Sequence, residues 1–286
     1  MTTTYNSIKS LREALKPLRS DKKIALVPTM GNLHQGHISL VKLAKQHADI
    51  VVVSIFVNPT QFGVGEDLDS YPRTLEADTE KLIEAEADYI FAPTVDEMYP
   101  IMPPPTQVLA GSISQILCGK SRPTHFDGVG IVVTKLFNIV QPDVAIFGKK
   151  DYQQLAIIKQ LVRDLSFDIQ LIGGPIVRAE DGLALSSRNQ YLTETERAAA
   201  PELHKAVQDL AVKLQSGRAT SETALQSLIE ESITAINAKG FKVDYLEVRN
   251  QDLTSITEFA GKQSWVIAVA AWLGKARLLD NQEVDI

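Results

Sequence analysis

Apolar positions change period several times along this chain, and the changes mark out its elements. From Ser7 to Arg19, residues Ile8, Leu11, Leu15 and Leu18 recur at helical spacing on one face. Ile24 to Val27 is a short apolar run ended by Pro28, which predicts a buried strand. Gly36 to His47 returns to helical spacing through Ile38, Leu40, Val41 and Ala44. Ile50 to Phe56 is nearly all β-branched, as suits a strand covered on both faces. Thr74 to Ala87 reads as a charged amphipathic helix and Tyr89 to Ala92 as a short strand. After an irregular, proline-rich stretch from Met98 to Pro105, the alternation resumes. Gly130 to Val140 is an apolar helix, Val144 to Phe147 a strand, Tyr152 to Leu165 a helix and Ile169 to Ile172 a strand. Strands and helices in alternation predict an α/β fold on a doubly wound parallel sheet.

Past about Val177 the order changes. Thr193 to Gln215 and Ser221 to Ala238 read as helices, the first opened by a capping box of Thr193 and Glu196. Tyr245 to Val248, Ser264 to Ala271 and Ala276 to Leu279 then read as strands. Helices followed by strands predict a separate, smaller α+β domain. The expected division is 1–177 and 178–286.

Composition narrows the function classes. A chain of 286 residues can hold two domains, and 44% hydrophobic with 22% charged residues is an ordinary globular balance. The formal charge of -6 gives no support to binding nucleic acid through its phosphates. The single cysteine, Cys118, excludes an internal disulfide framework and suits a reducing compartment. The longest apolar runs, Ile50 to Val57 and Trp265 to Leu273, are too short to span a bilayer, and no secretory signal is visible. A cytoplasmic location is therefore expected, with no membrane partner.

Five segments carry candidate chemistry, the first three of them directly after a strand. Pro28-Thr29-Met30-Gly31-Asn32-Leu33-His34-Gln35-Gly36-His37 joins the first apolar strand to the next helix, where doubly wound sheets bind ligands. Its glycines permit close backbone approach, and the helix start offers free N–H groups and a positive dipole end to a phosphate. His34 and His37, three apart, share a face there and can donate to phosphate oxygens. A zinc pair would need further ligands, which the neighbouring sequence does not supply. Phe56-Val57-Asn58-Pro59-Thr60-Gln61-Phe62-Gly63 follows the second of these strands, and its Asn58 and Gln61 amides suit a small hydroxy acid. Tyr71, downstream, could lie over that pocket.

Phe147-Gly148-Lys149-Lys150-Asp151-Tyr152-Gln153-Gln154-Leu155 again joins strand to helix. A lysine here can neutralise phosphates, Asp151 can accept from ribose hydroxyls and Gln154 can face a pocket, though taken alone the segment is equally a polar helix cap. In Ile176 to Asn189, Asp181-Gly182 signals a hairpin, and Leu185-Ser186-Ser187-Arg188 presents hydroxyls and a guanidinium suited to phosphate oxygens. Arg122 and His125, in a polar turn ahead of a helix, form a fifth and less specific candidate.

The HxGH pattern opening a helix resembles the signature of the nucleotidyltransferase superfamily. The combination of PTMGNLHQGH, FVNPTQFG, KKDYQQL and DGLALSSRN resembles the pantothenate synthetase family, in order, from Pro28 through Asn189. The resemblance implies a Rossmann-like N-terminal domain, a C-terminal lid domain and a two-step reaction. Pantoate and Mg²⁺-ATP would form pantoyl adenylate and pyrophosphate, and β-alanine would then give pantothenate and AMP. Carried over by motif, Met30, Gly31, Asn32, Leu33, His34, Gln35, Gly36 and His37 would cradle ATP, with His37 as proton donor. Lys149, Lys150, Asp151, Tyr152, Val177, Leu185, Ser186, Ser187 and Arg188 would complete the nucleotide site. His34, His37 and Lys150 would carry the catalysis. Gln61 would hold pantoate and β-alanine, Gln154 would hold pantoate, and Asn58, Tyr71, Arg122 and His125 would be secondary contacts. Many members of the family carry Glu where this chain has Lys149. Mg²⁺ would travel with the ATP phosphates, without a protein-built metal site. A homodimer is a further expectation from the resemblance. A dinucleotide-forming nucleotidyltransferase, a tRNA-charging domain and a silent nucleotide-binding regulator are rival readings. The amides of Asn58, Gln61 and Gln154 weigh against the first, the acidic balance against the second and the intact His, Lys and Ser-Ser-Arg groups against the third.

Overall fold

The computed structural model describes residues 2–63, 65–66 and 68–286. The chain forms two compact units, one of Met1–Lys149 with Ile157–Pro175 and one of Lys150–Ala156 with Ile176–Ile286.

The first unit is built on β1 (Thr3–Tyr5), β2 (Ile24–Thr29), β3 (Ile50–Ile55), β4 (Tyr89–Phe91), β5 (Val144–Gly148) and β6 (Gln170–Gly174). They form one sheet in the order β1-β4-β3-β2-β5-β6, and every pairing is parallel. The order reverses between β2 and β5, the switch point at which doubly wound sheets bind ligands. Helices α1 (Ile8–Leu15), α2 (Gln35–Lys45), α3 (Leu75–Glu84), α4 (Val95–Met98), α5 (Cys118–Ser121) and α6 (His125–Val140) connect these strands. Helix α7 (Tyr152–Asp164) follows β5. Ala25, Val27, Val51, Val53, Ile90 and Ile146 from the strands pack with Ile38, Val41 and Leu82 from the helices. Burial on both faces is what their uniformly apolar sequences require.

Strand β2 continues through Pro28, beyond the expected end at Val27. Ile24 N–H and C=O face the β5 side, bonding to Asp143, so Pro28 four residues on faces the same way. Register with β5 stops at Leu26, so the N–H that proline lacks has no ladder partner to supply. The two strands thus part where the first candidate segment begins. Strand β1, too short to signal itself, adds an edge beside β4. Helix α6 starts at His125, earlier than the expected Gly130.

The second unit carries α8 (Glu194–Ala199), α9 (Glu202–Gln215) and α10 (Glu222–Ala238), then β7 (Lys242–Asn250), β8 (Ser264–Leu273) and β9 (Ala276–Asp285) in one antiparallel sheet. The single helix expected from Thr193 to Gln215 is two, because Pro201 cannot donate in a helix interior and instead opens α9. The Thr193–Glu196 capping box forms as the sequence suggests. Leu203, Val207, Leu210 and Leu214 of α9 pack with Leu228 and Ile236 of α10 on Trp265, Ile267 and Val269 of β8. Among the described residues, no helix is long and apolar enough to cross a membrane.

Candidate active site

In the first unit, the segment after β2 is held by a residue the sequence reading did not single out. Asp78 of α3 has no exposed surface, and its two carboxylate oxygens accept the backbone N–H groups of Asn32 (2.8 Å) and Leu33 (2.7 Å). The Thr74 hydroxyl donates to it as well, at 3.0 Å. Gly31 sits at φ +85 and Asn32 at φ +50, so the chain turns through the left-handed region that glycine and asparagine tolerate. An added Cβ on Gly31 would lie 3.0 Å from the Asp78 carboxylate. Lys81, one turn along α3, donates to the Leu33 carbonyl at 2.7 Å. A signal for Asp78 was present, since it lies four residues before the buried Leu82 on the inward face of a charged helix.

This turn delivers His34 to the N-cap of α2. His34 Nδ1 accepts the Gly36 N–H (3.1 Å), and His37 Nδ1 accepts the His34 N–H (3.3 Å). Because each Nδ1 accepts, each neutral ring carries its proton on Nε2. The imidazoles lie with centroids 4.1 Å apart and planes at 38°. The capping box therefore fixes two Nε2–H donors side by side at a helix N-terminus, an arrangement suited to phosphate oxygens.

The segment after β3 forms a short 3₁₀ helix, Pro59–Gln61, and is packed under the start of α6. Asn58 is 1% exposed, and its side chain is engaged on every side. Nδ2 donates to Gln61 Oε1 and to the Gly128 carbonyl, each at 3.0 Å. Oδ1 accepts from the Tyr99 hydroxyl (2.9 Å) and the Thr60 hydroxyl (2.9 Å). Burial pushes the Tyr99 hydroxyl up to about 12, which keeps it a donor. Gly128 is required here, since a Cβ would fall 2.2 Å from the Thr60 carbonyl oxygen. Gln61 Nε2 approaches Met30 Sδ at 3.1 Å, joining the first two sequence segments. Asn58 thus aims the Gln61 amide.

Arg122 and His125 also act on this loop. Arg122 donates two bonds to Glu66, at 2.7 and 2.5 Å, and its Nη1 lies 3.1 Å from His125 Nε2. Since guanidinium only donates, His125 Nε2 accepts, and His125 Nδ1 then donates to the Gln61 carbonyl at 2.7 Å. The bonds from Arg122 hold the Glu66 carboxyl below its ordinary value. Tyr71 is 7% exposed and packs edge-on to Phe62, with centroids 5.9 Å apart. Lys149, half-buried, opens a 3₁₀ turn directly after β5, the strand across the switch point from β2.

In the second unit, Lys150 and Gln154 are partly buried and Asp151 is exposed. The Lys150 carbonyl accepts from Asn281 Nδ2 at 2.8 Å. The Tyr152 hydroxyl donates to the Gln251 carbonyl at 3.0 Å and lies 3.3 Å from Glu283. Burial and the Glu283 carboxylate push that phenol well above its ordinary value. The expected hairpin forms around Gly182 (φ +95), with Arg178 bridged to Ala184. The Leu185 N–H donates to the Val177 carbonyl at 2.9 Å, and the Ser186 hydroxyl caps the turn that carries Ser187 and Arg188 by accepting the Arg188 N–H at 3.3 Å. Among the described residues, no three His, Cys, Asp or Glu side chains converge as a metal site would require.

A family model described as Pantoate-beta-alanine ligase matches residues 3–283. The chain belongs to the pantoate–β-alanine ligase family. It is 76% identical, over the full length of both chains, to the pantothenate synthetase of Psychrobacter sp. (strain PRwf-1). Its fold is similar to the crystal structure of the pantothenate synthetase from Thermus thermophilus, with a TM-score of 0.88, 42% identity and 98% of each chain covered. The pantoate–β-alanine ligase from Francisella tularensis, complexed with β,γ-ATP and β-alanine, matches with a TM-score of 0.81 and 36% identity, over 99% of this chain and 97% of that one. The parallel sheet of the first unit and the small antiparallel sheet of the second are therefore a family architecture.

Proposed function

We infer that the chain catalyses the ATP-dependent condensation of pantoate with β-alanine, and that the residues described above divide that work as follows. The observation that carries the assignment is the pair of Nε2–H donors on His34 and His37, fixed by their own helix cap at the switch point of the sheet.

In the first step a pantoate carboxylate oxygen attacks the α-phosphorus of ATP, and the bond to the pyrophosphate oxygen breaks. Negative charge grows on the phosphate oxygens, and donors already oriented stabilise it without reorganising. His34, His37 and the first N–H groups of α2 supply such donors, with His37 as proton donor to the departing group. Lys150, Ser186, Ser187 and Arg188 add positive charge and hydroxyls for the triphosphate, and Lys149, Asp151, Tyr152 and Val177 contribute to nucleotide binding. Mg²⁺ bound to ATP would neutralise phosphate charge, with phosphates and water as its ligands. Gln61, held in place by Asn58, grips pantoate, and Gln154 grips it as well. In the second step the amine nitrogen of β-alanine attacks the acyl carbon. The acyl–oxygen bond to AMP breaks, and the nitrogen loses a proton. Gln61 serves here too. Arg122 and His125 shape the Gln61 backbone. Cytoplasmic location and a homodimeric state belong to the same reading.

ATP–pyrophosphate exchange tests it. Exchange should depend on pantoate, and adding β-alanine should release AMP and pantothenate. Lys150→Ala should lose about a hundredfold or more of the exchange rate, as removal of a transition-state donor does. Gln61→Ala should raise the KM for pantoate more than that for ATP. Exchange unchanged in Lys150→Ala, or equal losses for both substrates in Gln61→Ala, would overturn the respective role.

A further inference from the structure

The second unit holds a buried charge cluster that lies outside the roles assigned above. Asp280 of β9 is 4% exposed. Its Oδ2 accepts from Arg178 Nη1 at 2.7 Å and its Oδ1 from Arg178 Nη2 at 2.8 Å, a two-pronged pair. His204 Nδ1 of α9 lies 3.2 Å from the same Oδ2, and the Asn281 N–H donates to Oδ1 at 2.7 Å. Arg178 Nη1 reaches on to the Gly182 carbonyl at 3.1 Å, closing the hairpin from inside. Asn189 Nδ2 donates to the Ala184 carbonyl at 3.0 Å, tying the end of the following turn to the same hairpin. The next residue of β9, Asn281, holds the carbonyl of Lys150 at 2.8 Å. A small hollow beside the cluster is lined by Lys150, Ser186, Asn189, His204 and Asp280.

Two consecutive residues of one sheet strand therefore tie down two segments that are remote in sequence. One is the Arg178–Ala184 hairpin that leads into Leu185–Arg188, and the other carries Lys150. A buried ion pair is a poor device for stability alone, because desolvating both charges offsets most of their attraction, and apolar side chains of similar volume would serve as well. Its distinctive contribution is register, since a two-pronged Arg–carboxylate pair accepts only one geometry. We propose that Asp280 and Asn281 are positioning residues for ATP, which set the hairpin before Leu185–Arg188 and the backbone at Lys150 in fixed register on β9. The inference rests on the assignment of Lys150 and Leu185–Arg188 to the nucleotide.

Arg178→Lys keeps the charge but loses the fork, and Asn281→Ala removes the bond to the Lys150 carbonyl while leaving the Arg178–Asp280 pair in place. Both should raise the KM for ATP in pantoate-dependent pyrophosphate exchange by about tenfold or more, since a shift of about 1 Å in a reacting group has effects of up to about a hundredfold. The KM for pantoate should move by less than about twofold, and melting followed by circular dichroism should show a folded protein. If Arg178→Lys does not fold, Asn281→Ala decides alone. An unchanged KM for ATP in the folded variants, or equal rises for ATP and pantoate, would overturn the positioning role. Lys150→Ala, assayed alongside, separates the two levels. If it loses exchange while Asn281→Ala does not change the KM for ATP, only the positioning role fails. If Lys150→Ala itself keeps normal exchange, the nucleotide assignment fails and takes the positioning role with it.

Discussion

Two buried aspartates each hold a candidate ATP-binding segment, and they do it by different physics. Asp78, in the first unit, holds the turn after β2 through neutral donors, the backbone N–H groups of Asn32 and Leu33 and the hydroxyl of Thr74. Asp280, in the second, holds the 178–184 hairpin through the guanidinium of Arg178, with His204 beside it. The backbone cradle fixes where the main chain goes and leaves the His34 and His37 rings to be set by their own cap. The ion pair fixes a side-chain register between elements far apart in sequence. A backbone cradle is insensitive to which side chains surround it, whereas an ion pair fails when either partner changes.

That difference ranks the variants. At neutral pH, Asp280→Asn should cost about 3 kcal/mol of stability in urea unfolding, because it strands the Arg178 charge in a largely buried place. Asp78→Asn should cost less, about 2 kcal/mol, since it leaves one neutral N–H facing an amide in place of a carboxylate oxygen. A reversed ranking would break the comparison.

Acidity sharpens it. Burial pushes the Asp280 carboxyl up, but His204 and Arg178 outweigh burial and leave it below its ordinary value. A carboxyl lowered in the folded state contributes its full stability above the unfolded pKa of about 3.9 and loses it as pH falls further. The gap in urea midpoint between Asp280→Asn and the parent chain should therefore hold from pH 7 to about 5 and narrow below about 4. A gap that is the same at pH 3 and pH 7 would show that the charge is not what matters. The smallest effect is expected at Thr193→Ala, which removes the capping box of α8 and should cost about 1 kcal/mol, with no change in the KM for ATP. A rise in that KM would mean that α8 also helps to place the 185–188 turn.

The sequence showed the α/β alternation, the change of pattern near Val177 and the histidine pair, because apolar period and helix caps are local properties. It missed β1, which has three residues and no pattern of its own, and it ran α8 and α9 together across Pro201. It showed Asn58 beside Gln61, and Arg122 and His125 only as polar groups in a turn ahead of a helix. Their partners, Tyr99, Gly128 and Glu66, come from distant stretches of chain, so the sequence could not show that Asn58 aims the Gln61 side chain while Arg122 and His125 hold its backbone.

By itself the sequence determined the family, the strand-to-helix segments and the residue types available for phosphate and pantoate. Those depend on short spacings, and the chain prints short spacings directly. Tertiary structure alone decided the saturation of Asn58 and the work of Asp78 and Asp280. Each of these depends on a bond between atoms brought together by sheet order and helix packing, and a buried charge acquires its meaning only from the partner that folding places beside it.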